Sequence, residues 1–143
     1  MTGPARTSVH TALAAFIFCW VALPGAAAEQ AVTNKDVAKY LTEAKDLVAG
    51  KRWDAAWAAL EKADRVPDQP PFSKDKILEF KAYVLIQQHK YAEAGAVFEQ
   101  RSKSELASAE QRNDLLKKAA QFYMQAKQYE KSARAAEAAL AKQ

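Results

Sequence analysis

Few side chains in this sequence are suited to catalysis. There is one cysteine, Cys19, and two histidines, His10 and His89. Nucleophilic and acid–base chemistry needs convergent groups within hydrogen-bond reach. His89, between Gln88 and Lys90, is expected in a turn between helices, where histidine tolerates the left-handed conformation that often ends a helix. The acid pairs Asp64 with Asp68 and Glu105 with Glu110 fall at expected helix ends and linkers, where carboxylates are solvated. No Gly-rich phosphate loop and no HExxH motif occurs. The isoelectric point is about 9.1, yet bases alternate with acids, as in Lys35-Asp36, Lys45-Asp46 and Lys74-Asp75-Lys76. Lys51-Arg52 and Lys117-Lys118 are too few for a stripe that tracks phosphates. These features imply no enzyme, no cofactor, no metal and no nucleic acid, leaving only weak attraction to anionic surfaces.

The elements around these residues follow from composition and pattern. The chain has 143 residues, 50% hydrophobic and 27% charged, with 4 Gly and 5 Pro, enough for one small domain built of helices. Its start reads as a secretory signal peptide over 1–28: Arg6 supplies the basic region, 11–23 is mostly apolar, Pro24-Gly25 breaks the run, and Ala26-Ala27-Ala28 offers a cleavage site. The alternative is an uncleaved anchor, but a spanning helix needs roughly 20 apolar residues. Cys19 lacks the small preceding residues of a lipoprotein signal. The expected product is therefore periplasmic or secreted, with no stable membrane insertion. Cleavage removes 28 residues, leaving 115 with net charge +3, no cysteine, and His89 as the sole histidine. Stability must then come from packing without disulfides.

One register dominates the mature sequence. Trp53, Tyr91 and Tyr129 each open a helical stretch, at intervals of 38 residues. Ala44, Ala82 and Ala120 lie nine residues before these aromatics, and Leu47, Leu85 and Tyr123 six before. Ala56, Ala94 and Ser132 lie three after, and Leu60, Phe98 and Ala136 seven after. Small residues at matched places let two helices approach closely while larger neighbours fill the gap.

Periodicity predicts helices over about 36–49, capped by Thr33 with Asp36 and stopped by Gly50, and over 53–65, ended by Pro67 and Pro70-Pro71. Ser73 is expected to cap a third helix, whose apolar residues cover more than one face. A fourth runs over 91–101, 102–108 connects it to a fifth, and an Ala-rich sixth starts at Tyr129. Six helices in three antiparallel pairs result, with repeats at about 35–67, 73–104 and 108–143 in a domain spanning 33–143.

These stretches resemble tetratricopeptide repeats, whose pattern is W-x2-L-G-x2-Y, then A-x3-F, then Pro. Here the first part reads Tyr40, Glu43, Ala44 and Leu47, then Leu78, Lys81, Ala82 and Leu85, then Leu116, Ala119, Ala120 and Tyr123. The second reads Ala56 with Leu60, Ala94 with Phe98, and Ser132 with Ala136. Departures are Ala for the family Gly throughout, Glu43 and Lys81 at an apolar landmark, and a period of 38 against about 34. The extra residues fall between hairpins, where loop length is tolerated. The resemblance implies an all-α fold, a right-handed α-solenoid of three helix pairs. The rival is an ordinary helical bundle.

In such a stack the first helix of each pair lines a groove. The groove positions align as Leu41, Glu79 and Lys117; Lys45, Tyr83 and Gln121; and Val48, Ile86 and Met124. The partner-binding residues expected from these rows are Lys45, Glu79, Tyr83, Ile86, Lys117, Gln121 and Met124, suited to a protein or peptide partner that is extended or helical. Burial of Tyr83, Ile86 and Val48 between hairpins is the competing reading. A structural subunit is the functional alternative. Its final helix, with Ala133, Ala135, Ala136, Ala138, Ala139, Leu140 and Ala141, is smooth enough for self-association into a homo-oligomer.

Overall fold

The computed structural model describes residues 34–141. The signal peptide expected over 1–28 and the cap expected at Thr33 lie outside the described residues. Within them are six helices and no strand: α1 (Lys35–Ala49), α2 (Trp53–Asp64), α3 (Pro71–Gln87), α4 (Tyr91–Ser102), α5 (Ala109–Gln125) and α6 (Tyr129–Leu140). Each helix packs on the next in the chain, and α1 also touches α3.

The 38-residue register reappears in the backbone. Second helices begin at Trp53, Tyr91 and Tyr129 and end at Asp64, Ser102 and Leu140, each one step of 38 apart. The turns within the pairs repeat as closely. Lys51, His89 and Lys127 have φ of 55°, 58° and 59°. In the first turn the Lys51 amide donates to the Val48 carbonyl and the Arg52 amide to the Leu47 carbonyl. His89 and Lys90 donate likewise to Ile86 and Leu85, and Lys127 and Gln128 to Met124 and Tyr123. This double bond pattern satisfies the last carbonyls of a helix and demands one left-handed residue. His89 therefore takes the conformation expected of it. Gly50, expected to stop α1, is its C-cap with φ −80°, and the left-handed residue is Lys51, one position later.

Helix starts differ from expectation in two places. Asn34 caps α1, its side chain accepting from the amides of Asp36 at 2.9 Å and Val37 at 3.4 Å. The start of α3 lies at Pro71, with Pro70 at the cap, because proline at the first helical position sacrifices no hydrogen bond. Ser73, expected as the cap, is instead fully buried inside the helix, with no partner for its hydroxyl. The linker before α3 is tied down by Gln69, whose Nε2 donates to the carbonyls of Ala63, Asp64 and Val66 at 2.6, 3.1 and 2.7 Å. A reciprocal Ser108 and Gln111 box opens α5.

Alanine notches sit where the register puts them. Ala44 and Ala82 of the first helices are buried, as are Ala56, Ala94 and Ser132 of the second, while Ala120 is half-buried. Around them Leu60, Ile77, Val84 and Leu85 are fully enclosed, each contributing roughly 1.5–3 kcal/mol by leaving water. A close approach occurs at Gly95 of α4, where a Cβ would lie 2.9 Å from Cδ1 of Tyr123 on α5.

Candidate protein-binding surface

The expected groove positions occupy α1, α3 and α5 at matching places in three helices whose ends and turns repeat with one step. Lys45, Lys117 and Gln121 are exposed. Tyr83 is 45% exposed, and its ring meets Trp53 edge-on at 6.2 Å. Glu79 is half-buried and accepts from Lys76 at 2.8 Å, while Lys117 stands 3.8 Å from Asp114. Leu41, Val48 and Ile86 instead contribute to packing: Leu41 and Val48 lie against the cluster of Ala44, Leu60 and Val84, and Ile86 against that of Phe98 and Tyr123. Met124 is 54% exposed. The solvent-facing face is thus a lysine, a tyrosine ring, an amide, a second lysine and a methionine, flanked by a paired carboxylate. It can offer apolar contact through the ring and hydrogen bonds through Gln121.

Two shallow clefts lie elsewhere. One of about 620 Å³ is lined by Asp64, Val66, Asp68, Gln69, Lys74, Leu78 and Gln100. The other, about 350 Å³, lies between two turns and includes His89, Tyr91, Glu93 and Lys127. Nδ1 of His89 is 2.7 Å from the Tyr91 hydroxyl. Among the described residues no cluster of His, Cys, Asp or Glu could hold a metal ion, and no helix is long and apolar enough to cross a membrane.

Several contacts that fix the surface were not read from the sequence. Lys81, a departure from the repeat pattern, lays its ammonium 5.5 Å from the Trp57 ring centre and pairs with Asp64 at 2.6 Å, so its stem packs where an aliphatic residue would. Arg101 holds Asp75 through two 3.0 Å bonds between α4 and α3. One step earlier the same two places are Val37 and Ala63, in apolar contact. The Tyr123 hydroxyl donates to Glu99 at 2.9 Å. Burial first, then that hydrogen bond and the Glu99 charge, push its pKa from 10.0 up to about 12, so it serves as a donor throughout the ordinary pH range. The repeat register was the available signal for each site, but it shows equivalence of position rather than which pair fills it.

Compared with protein-family models, curated proteins and solved structures, the chain has no match.

Proposed function

We propose that this chain is an exported, non-enzymatic adaptor: a right-handed α-solenoid of three tetratricopeptide-like hairpins that captures a segment of another polypeptide along α1, α3 and α5. The observation that carries the reading is the recurrence of the same turn, with its left-handed residue and two hydrogen bonds, at Lys51, His89 and Lys127. A constant step between hairpins lines up equivalent residues in rows, the geometry by which repeat proteins build extended binding surfaces. Lys45, Tyr83, Gln121, Lys117 and Met124 are the exposed members of those rows. With Glu79, they suit a partner segment that brings an apolar anchor for Tyr83 and acidic groups for the lysines. Residues 1–28 act as the signal peptide, and the mature protein works in the periplasm or outside the cell.

Reversing charge with Lys117→Glu and Glu79→Lys tests the reading, since neither side chain holds the core. Capture of partners from envelope extract should fall while far-ultraviolet circular dichroism stays unchanged. An unaltered capture pattern refutes the surface. The second reading, a self-associating subunit, is favoured by one observation: Tyr129, Ala133, Ala136 and Leu140 of α6 are all exposed.

A further inference from the structure

The cleft of about 620 Å³ forms where the linker after α2 passes into α3, and none of the expected groove residues lines it. The repeat supplies a counterpart for comparison. One step of 38 residues later, Val66, Gln69 and Lys74 become Ser104, Ala107 and Arg112. There the Arg112 guanidinium folds back on its own linker: Nε donates to the Ala107 carbonyl at 3.0 Å, and Nη2 lies 3.5 Å from the Ser104 carbonyl.

The first linker is held differently. Lys74, at the place of Arg112, is exposed and lines the open cleft. The carbonyls of Ala63, Asp64 and Val66 are served instead by Nε2 of Gln69, and these three acceptors consume both protons of that nitrogen. An amide brings an acceptor along with its donor. Gln69 lines the cleft and is only 8% exposed, yet nothing donates to its buried Oε1. A stranded acceptor of this kind costs free energy until a donor reaches it.

We propose that this cleft takes a guanidinium from outside the chain, such as the head of an arginine side chain, in the place that Arg112 fills for the second linker. Exposed Asp68 supplies a carboxylate and Gln69 the buried carbonyl oxygen, while half-buried Val66 and Leu78 give an apolar wall for the methylene stem. Asp64 also lines the cleft, but its Oδ2 already accepts from Lys81. A planar fork of N–H donors can bond a carboxylate and a carbonyl together, which a compact ammonium does poorly. Lys74 opposes any cation, and its exposed position lets the ammonium turn outward. The site does not rest on the reading of the α1, α3 and α5 surface.

The probe is Nα-acetyl-L-arginine amide, a guanidinium without terminal charges, titrated into the isotope-labelled full chain and followed by nuclear magnetic resonance. The Gln69 side-chain amide signal should shift and saturate at millimolar probe. Asp68→Asn should weaken binding about fivefold; asparagine tolerates the left-handed φ of 55° held there, so the linker is kept. Lys74→Ala should strengthen binding by a similar factor. Lys74→Arg keeps the charge but should fold back on the linker as Arg112 does, and so abolish the shift. A capped Gly-Gly-Arg-Gly-Gly peptide separates the carriers: tighter binding than the probe assigns the guanidinium to a polypeptide partner, equal binding to a small molecule, and either upholds the site. The absence of a saturable shift at Gln69, equal binding of Nα-acetyl-L-lysine amide, or unaltered binding by the Asp68→Asn or Lys74→Arg chain overturns the proposal. The Lys117→Glu, Glu79→Lys chain should bind the probe unchanged, so failure of the capture surface and failure of this site are read separately.

Discussion

Gly95→Ala sets two opposing effects against each other at one atom. Gly95 lies inside α4, where alanine is favoured over glycine by about 1 kcal/mol in an unobstructed helix. The new methyl would meet Cδ1, Cε1 and Cγ of Tyr123 at 2.9, 3.0 and 3.2 Å, whereas carbon atoms pack comfortably at about 3.5–4.0 Å. The ring must withdraw by roughly half an ångström or more, and little allows it to. It is buried among Phe98, Ala119 and Ala135, and its hydroxyl is tethered to Glu99 at 2.9 Å. Overpacking of this kind costs about 1–3 kcal/mol, which exceeds the propensity gain. We expect a net loss of about 1 kcal/mol, lowering Tm by roughly 4–8 °C for a domain of this size. Thermal melts followed by circular dichroism measure it. In a Tyr123→Leu background, with the ring removed, Gly95→Ala should become stabilising. A rise in Tm from Gly95→Ala alone would refute the argument that the Tyr123 ring packs too closely on α4 to admit a methyl group there.

Tyr123→Phe should remove an alkaline component of unfolding. An unfolded tyrosine ionises near 10 and the folded one near 12, so between those values the native state binds more protons and stability falls as pH rises; denaturant titrations across that window should show a shallower decline for the variant. Lys127→Gly should raise stability by about 0.5 kcal/mol, relief of left-handed strain outweighing the entropy of glycine, whereas Ala126→Gly, at φ −79°, should lower it. Asp75→Ala strands the Arg101 guanidinium, and urea titration should register a loss of about 2 kcal/mol. Asp75→Val with Arg101→Ala reproduces the Val37 and Ala63 contact of the first pair and should recover most of that loss.

Register, helix number and pairing were legible because they rest on local physics. Trp53, Tyr91 and Tyr129 do open helices, and His89 does take the left-handed place, since helical periodicity and turn chemistry act over a few residues. Caps were read less well. Ser73 is a good capping residue by type, but Pro70-Pro71 lies nearer the linker and starts α3 first. Among the surface residues, Lys45, Lys117 and Gln121 are solvent-facing, while Ile86 is drawn into the cluster of Phe98 and Tyr123. A side chain one position off a core stripe lies between two environments, and the neighbouring pair decides which it joins.

Spacing of small and large residues was therefore enough to dictate that helices form, where they turn, and that the turns recur at a constant step. What fills each equivalent place was decided in three dimensions. Asp75 with Arg101 where Val37 meets Ala63, Lys81 lying on Trp57, and Gly95 beneath the Tyr123 ring are choices made across helices. Burial and pairing depend on neighbours 17 to 28 residues away in sequence, which no local pattern contains. The same reason leaves Tyr129 more exposed than its counterparts Trp53 and Tyr91, which are half-buried where rings of α3 and α5 lie against them.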